Sequence, residues 1–301
     1  MVLPGLFSRV SPGVYAALGG EASAILGERA YDGMSVVIPG RLSRNWTTQS
    51  VLTSNRRAPP VLAQTVAYDS PDLSAQSTLT SRGTFSSSLG LTLLDALTLR
   101  ASLTAEQLKD TLVHNGRLEA QLEGDDLTLT GLYSIPEGIW ACSYLQGLGP
   151  RAAVGGEAVH IPQTGMTLYA AGARGTARLG PMKATFVVQG NTERTANASV
   201  VADLGSNLQV AGSVTVSARK HDRVRGSASI GFTRRGARSQ VTANCNAAGE
   251  LSCEARKALD DGSVVEVVGS VDIRSGRSTV GVGVVLGSET VSKMFRPRCT
   301  D

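Results

Sequence analysis

Apolar and polar residues alternate one by one along most of this chain, in short segments separated by turn residues. In Arg117-Leu118-Glu119-Ala120-Gln121-Leu122-Glu123, Leu118, Ala120 and Leu122 share one strand face, and Arg117, Glu119, Gln121 and Glu123 share the other. Leu208, Val210, Gly212, Val214 and Val216 alternate in the same way with Gln209, Ala211, Ser213, Thr215 and Ser217. A third run sets Val224, Gly226, Ala228, Ile230 and Phe232 against Arg223, Arg225, Ser227, Ser229 and Thr233. Read this way, the chain predicts nineteen strands. They fall at 33–41, 45–53, 61–69, 74–82, 84–93, 96–104, 116–124, 126–134, 138–146 and 151–161. The rest fall at 166–175, 182–189, 196–204, 207–218, 223–234, 239–246, 251–259, 263–272 and 278–287. The alternation is weakest over 70–95. Turn chemistry stands between strands, as in Gly124-Asp125, Gly205-Ser206-Asn207, Asp261-Gly262 and Ser275-Gly276.

Ahead of the ladder, residues 1–10 read as a loose arm. Ser11-Pro12 is a good helix start, a capping residue followed by proline at the first helical position. The predicted helix, within 11–30, sets Tyr15, Leu18, Ala22 and Ile25 near one face, is weakened by Gly19-Gly20 and ends around Glu28. The ladder occupies 31–287, and 288–301 form a C-terminal tail.

The repeat of about 13 residues leaves about 9–10 per strand, close to the ~9–11 that cross a bilayer at a barrel's tilt. No run approaches the ~18 apolar residues of a spanning helix. No linker divides the ladder, and a closed barrel is the one sheet that lipid tolerates, because closure leaves no unpaired edge. The expected fold is therefore all-β, a transmembrane antiparallel barrel with its charged face lining a wet channel. A soluble, repetitive β protein used for adhesion or scaffolding is the alternative from another class.

Mean hydropathy of +0.01 suits strands of which half the side chains face water. Aromatic residues make up only 4 %, sparse for developed interfacial girdles and for a large soluble core alike. The net charge of +4 is no nucleic-acid signature, and the Arg234, Arg235, Arg238 cluster reads as a solvated turn or a contact to lipid headgroups. His114, His160 and His221 lack metal-ligand spacing, and neither a nucleophile elbow nor a phosphate loop occurs, so neither enzyme chemistry nor a cofactor is expected. Cys142, Cys245, Cys253 and Cys299 form no paired motif. Cys245 and Cys253 fall on adjoining predicted strands, which leaves a disulfide open, but their favoured reading is as small apolar residues. Glu21 and Gly19-Gly20 interrupt the N-terminal apolar stretch, which does not read as a secretory signal.

The most specific stretch is Tyr144-Leu145-Gln146, then Pro150, then Gly155-Gly156-Glu157. It resembles a pattern of the channel subunit of the mitochondrial outer-membrane protein translocase. Ser11-Pro12-Gly13-Val14-Tyr15 and Asp32-Gly33-Met34-Ser35-Val36-Val37 are similar to that family's helix and first strand, and Leu42-Ser43-Arg44-Asn45-Trp46 to the start of its second. Thr279, Gly281, Val284 and Leu286 resemble the sorting signal shared by mitochondrial barrels. The resemblance implies nineteen strands with the first and last parallel, a helix inside the pore and a multi-pass location in the mitochondrial outer membrane. It implies precursor proteins with basic presequences as cargo, single-span helical receptor and small subunits as partners, and homo-oligomeric pores within a complex. The arm before the helix is shorter than in many relatives.

Basic presequences call for carboxylates in a polar wall without deep apolar traps. Alternation puts Glu119, Glu123, Asp203, Glu254, Glu266 and Asp272 on the non-lipid face as candidate presequence contacts, together with Arg100, Arg117, Arg223, Arg225 and Arg256. The competing reading is that these charges pair across strands and keep the channel wet. Within the barrel class, the alternative function is a metabolite porin like the voltage-dependent anion channel.

Overall fold

Each alternating segment forms one strand, and the turn residues mark where the chain reverses. The computed structural model describes residues 15–27, 32–55, 58–93, 96–108, 111–205, 207–218 and 224–287. The strands are β1 (Gly33–Arg41), β2 (Trp46–Asn55), β3 (Ala58–Asp69), β4 (Leu73–Thr80), β5 (Thr84–Leu93), β6 (Leu97–Leu108) and β7 (Thr111–Glu123). They continue as β8 (Leu127–Ile135), β9 (Trp140–Gly147), β10 (Ala152–Ile161), β11 (Met166–Leu179), β12 (Met182–Asn191) and β13 (Thr195–Asp203). The set ends with β14 (Leu208–Ser217), β15 (Arg225–Arg235), β16 (Ser239–Asn246), β17 (Glu250–Ala258), β18 (Val264–Asp272) and β19 (Arg277–Val285).

Sequential strands pair antiparallel, and β1 pairs with β19 in parallel from Gly33↔Gly281 to Val37↔Val285. That pairing closes a 19-stranded sheet. An odd strand count makes the parallel seam unavoidable, since the first and last strands then run the same way.

Register separates two faces. One carries large apolar side chains in the open, among them Met34, Ile38, Leu79, Leu118, Val188 and Ile230, each at least half exposed. The other carries the charged and hydroxyl side chains and is the lumen. The predicted helix is corrected here. A 3-10 turn at Tyr15–Ala17 and a separate helix α1 (Gly20–Leu26) replace one continuous segment. The break is Gly19, whose φ of 78° is left-handed and open chiefly to glycine. Ser11-Pro12 and Glu28 lie outside the described residues, as do Arg223, His221 and Cys299. Arg234 and Arg235 belong to β15, not to the turn predicted for them. No described helix is long and apolar enough to cross a membrane.

Candidate functional site: the lumen wall

The turn and α1 lie against the lumen face from β9 to β16. Tyr15 and Leu18 pack with Leu145, Ala153 and Val187, and Ala22 and Ile25 pack with Val201 and Ala211. The helix face predicted from Tyr15, Leu18, Ala22 and Ile25 is thus the buried one, each of the four below a tenth exposed. Three inward glycines lie close both to atoms of the neighbouring strand and to a leucine. A Cβ on Gly172 would stand 3.3 Å from Leu18 Cδ1, one on Gly231 3.2 Å from Leu26 Cδ2, and one on Gly155 2.9 Å from Leu145 Cδ1. Asn244 Nδ2 donates to the carbonyls of Ile25 (3.3 Å) and Gly27 (2.9 Å), taking up acceptors that the end of α1 leaves without helical partners. The Tyr15 hydroxyl is buried without a hydrogen-bond partner among the described residues. Burial, and then the charge of Glu157, raise its pKa above the ordinary 10.0.

The Tyr144–Glu157 stretch forms the second half of β9, the turn after it and the first half of β10. Leu145, Gly155 and Glu157 face the lumen, Leu145 across from Gly155 and Ser143 across from Glu157. Tyr144 and Gly156 sit opposite each other on the outer face, where Gln146 also points at the end of β9. Pro150 lies in the turn.

The remaining wall divides into sectors. On β6–β7, Glu119 accepts from Arg100 Nη1 (3.2 Å) and Arg117 Nη2 (3.0 Å), while Gln121 bridges Arg100 and Glu123. On β17–β18, Arg256 lies between Glu254 and Glu266, with 3.1 Å from its Nη2 to Glu266 Oε1. These two networks flank the strands that hold the helix. Asp203 ends β13 and accepts from Gln209 Nε2 at 2.7 Å. Asp272 ends β18 and accepts the backbone N–H groups of Arg274 and Ser275 in the following turn. All six predicted carboxylates therefore face the lumen by register, but they do not form one site: Glu119, Glu254 and Glu266 sit within the wall, and Glu123, Asp203 and Asp272 at its rims. From β1 to β5 the lumen face is uncharged except at its rims, where Arg41 and Asp69 end β1 and β3, and is lined by residues such as Ser35, Gln49, Thr65, Gln76, Thr78 and Ser88. Thr65 and Thr78 hydrogen-bond across strands at 2.9 Å.

Two features escaped the sequence reading. Leu132, Val159 and Leu168 face inward on β8, β10 and β11, so the wall is not uniformly polar. Arg178 and Lys183 face each other on the lumen side of β11–β12, a like-charge pair at one rim. Of the sorting-signal residues, Thr279 and Gly281 face the lumen, with Thr279 Oγ1 2.6 Å from Ser270 Oγ, and Val284 faces out. Leu286 follows β19 and donates its N–H to the Val37 carbonyl, extending the seam. Cys142, Cys245 and Cys253 are free thiols, and Cys245 and Cys253 lie diagonally on the outer face of β16–β17.

The sequence model of the eukaryotic porin family matches residues 11–282. No curated protein matches the chain.

Proposed function

Because the chain belongs to the eukaryotic porin family, we propose that it is a protein-conducting pore, passing unfolded precursor proteins through its lumen. The family and the nineteen-stranded barrel support a channel of the mitochondrial outer membrane. The choice of cargo rests on the Tyr144–Glu157 stretch, whose resemblance to the translocase channel is the one observation that separates it from a metabolite porin. That stretch is also where the first helical turn docks, through Leu145 and Ala153.

In this reading a precursor moves as an extended chain past the docked helix. The ion-pair networks at Glu119 and at Glu254–Arg256–Glu266 offer basic presequences weak, exchangeable contacts, since each carboxylate already has a partner to return to. The stretch of wall from β1 to β5, uncharged between its rims, adds no strong electrostatic hold. The partners expected are single-span helical receptor and small subunits.

The inward Arg178–Lys183 pair favours a second reading, conduction of metabolite anions. Planar-bilayer recording separates the two. A protein pore is blocked by a basic presequence peptide at micromolar concentration and is indifferent to ATP; block or selective passage of ATP with no effect of the peptide overturns the proposal. Co-isolation of small helical subunits from mitochondria is the second expected result.

A further inference from the structure

Alternation sends nearly every charge on the strands into the lumen. Of the Asp, Glu, Lys and Arg side chains on the described strands, only Arg234 and Lys257 face outward. Both are cations, both stand near the same rim, and a single strand separates them. Arg234 is the tenth of eleven residues in β15, and Lys257 the eighth of nine in β17. On β16 between them, Val241 is registered with Arg234, and Ser239 with Lys257. Arg234, Ser239 and Lys257 are all exposed, and neither cation has a side-chain partner among the described residues.

The basic cluster seen in the sequence is thereby taken apart. Arg235 points into the lumen, and Arg238 in the β15–β16 turn pairs with Asp260 in the β17–β18 turn. Lys257 takes their place beside Arg234 on the outer face.

Below the two cations the surface is apolar and low. Ala243, Cys253 and Ala255 carry small side chains outward on β16 and β17, between the exposed Phe232 on β15 and Val267 on β18. They form a lane that runs down the sheet from the cations toward the middle of the strands.

A cation at the edge of hydrocarbon is unfavourable unless its long stem carries the charge out to the headgroups. Arg234 and Lys257 therefore meet the bilayer at the level of its phosphates. A zwitterionic lipid brings a quaternary ammonium along with its phosphate, and two neighbouring cations oppose that group. A lipid of net negative charge brings no such penalty, and the lane accepts its acyl chain.

We propose that Arg234 and Lys257 clamp the phosphate of an anionic phospholipid, with Ser239 donating to it from between them. The proposal needs the barrel to lie in a bilayer but is independent of what the pore conducts. Fluorescence quenching tests it. In a chain whose two tryptophans, Trp46 and Trp140, are replaced by phenylalanine, Phe232→Trp sets one indole beside the lane. In phosphatidylcholine liposomes, brominated phosphatidic acid half-quenches it at a mole fraction about 25-fold below that of brominated phosphatidylcholine, about fivefold for each cation at an anionic surface. The indole of Val188→Trp, on the outer face of β12, is quenched equally by the two lipids. Adding Arg234→Gln and Lys257→Gln to the Phe232→Trp chain abolishes the preference. Equal quenching by the two lipids at Phe232→Trp overturns the proposal. So does a preference that survives both glutamines with heat-modifiable mobility intact. A preference that millimolar inorganic phosphate removes at constant ionic strength makes the ligand a soluble phosphate, and overturns it as well.

Discussion

Leu145 on β9 stands directly across from Gly155 on β10, where a Cβ would stand 2.2 Å from the Tyr144 carbonyl oxygen and 2.9 Å from Leu145 Cδ1, so the backbone of β9 and the leucine together leave room for glycine alone. Tyr15 and Leu18 rest on that leucine, which is fully buried. The glycine is therefore part of the helix seat although it never touches the helix face itself.

Gly155→Val is expected to push the β9 backbone at Tyr144, and Leu145 with it, out of place and so loosen the N-terminal segment. Overpacking of this kind costs about 1–3 kcal/mol. The measurement is limited proteolysis of reconstituted protein: cleavage within 15–27 accelerates, and open-channel current becomes noisier. Gly175→Ala on the outer face, where a Cβ meets nothing within 4 Å, changes neither. Equal cleavage rates in the two variants would refute this role for Gly155.

At the other end of the helix, Asn244→Ala removes both hydrogen bonds to the carbonyls of Ile25 and Gly27. With about 0.5–1.5 kcal/mol for each net hydrogen bond, docking weakens by about 1–3 kcal/mol. Hydrogen exchange of the amides in α1 reads it directly. Their protection should fall while that of β16 holds, and a loss of protection throughout β16 would instead mean that Asn244 supports the strand.

The barrel was legible in the sequence because its two solvents, lipid and water, impose a period of two on every strand. The bounds of β1, β5 and β16 coincide with the predicted ones. The alternation faded over 70–95 for a reason now apparent: Ser77 and Ser87 face outward there, so both strand faces are polar. The break of the helix at Gly19 was only half legible, because a glycine pair signals weakness without saying which residue turns left-handed. The helix seat was not legible at all. Gly155, Gly172 and Gly231 come from three different strands, and their close approach both to the neighbouring strand and to a leucine appears only once the strands are paired and the helix is docked. The acidic residues were placed on the correct face by alternation alone, which also sets Arg117 beside Glu119 and Arg256 beside Glu254, but the cross-strand pairs Arg100–Glu119 and Arg256–Glu266 depend on the register of neighbouring strands, which the period does not fix.

Tyr15 gives the docked helix a pH dependence with a definite sign. Burial and Glu157 raise its phenol pKa, so the docked state favours the neutral form. The stability tied to that neutral form is fully present below the ordinary value near 10 and is lost as pH rises through the higher docked value. Protease resistance of 15–27 should hold from neutral pH to about 9 and fall at higher pH, to a degree that Tyr15→Phe abolishes. The phenylalanine variant should also dock slightly more tightly, because the hydroxyl it removes is buried without a hydrogen-bond partner. An alkaline transition that survives in Tyr15→Phe would assign it to another group.

The carboxylates within the wall and those at its rims should contribute unequally to presequence binding. Glu119, Glu254 and Glu266 hold arginines on the lumen wall, whereas Asp203 and Asp272 are engaged by Gln209 and by a turn. Exchanging the first three for glutamine removes three negative charges and leaves Arg100, Arg117 and Arg256 unopposed, so the wall repels a basic peptide where it had attracted one. Glu254 is buried, so its exchange acts through the freed charge of Arg256; at ~0.2–1 kcal/mol for each charge contact at the part-exposed Glu119 and Glu266, peptide block of the pore should weaken roughly tenfold at low salt. The difference should vanish near 1 M salt, where the Debye length shrinks to about 3 Å. Ion selectivity should shift toward anions in the same variant, and Glu123→Gln with Asp203→Asn should do less on both counts. Undiminished block in the triple variant, with the anion shift present, would show that the charges set conductance while the presequence is recognised elsewhere on the wall. Leu132, Val159 and Leu168 would then be the first residues to replace.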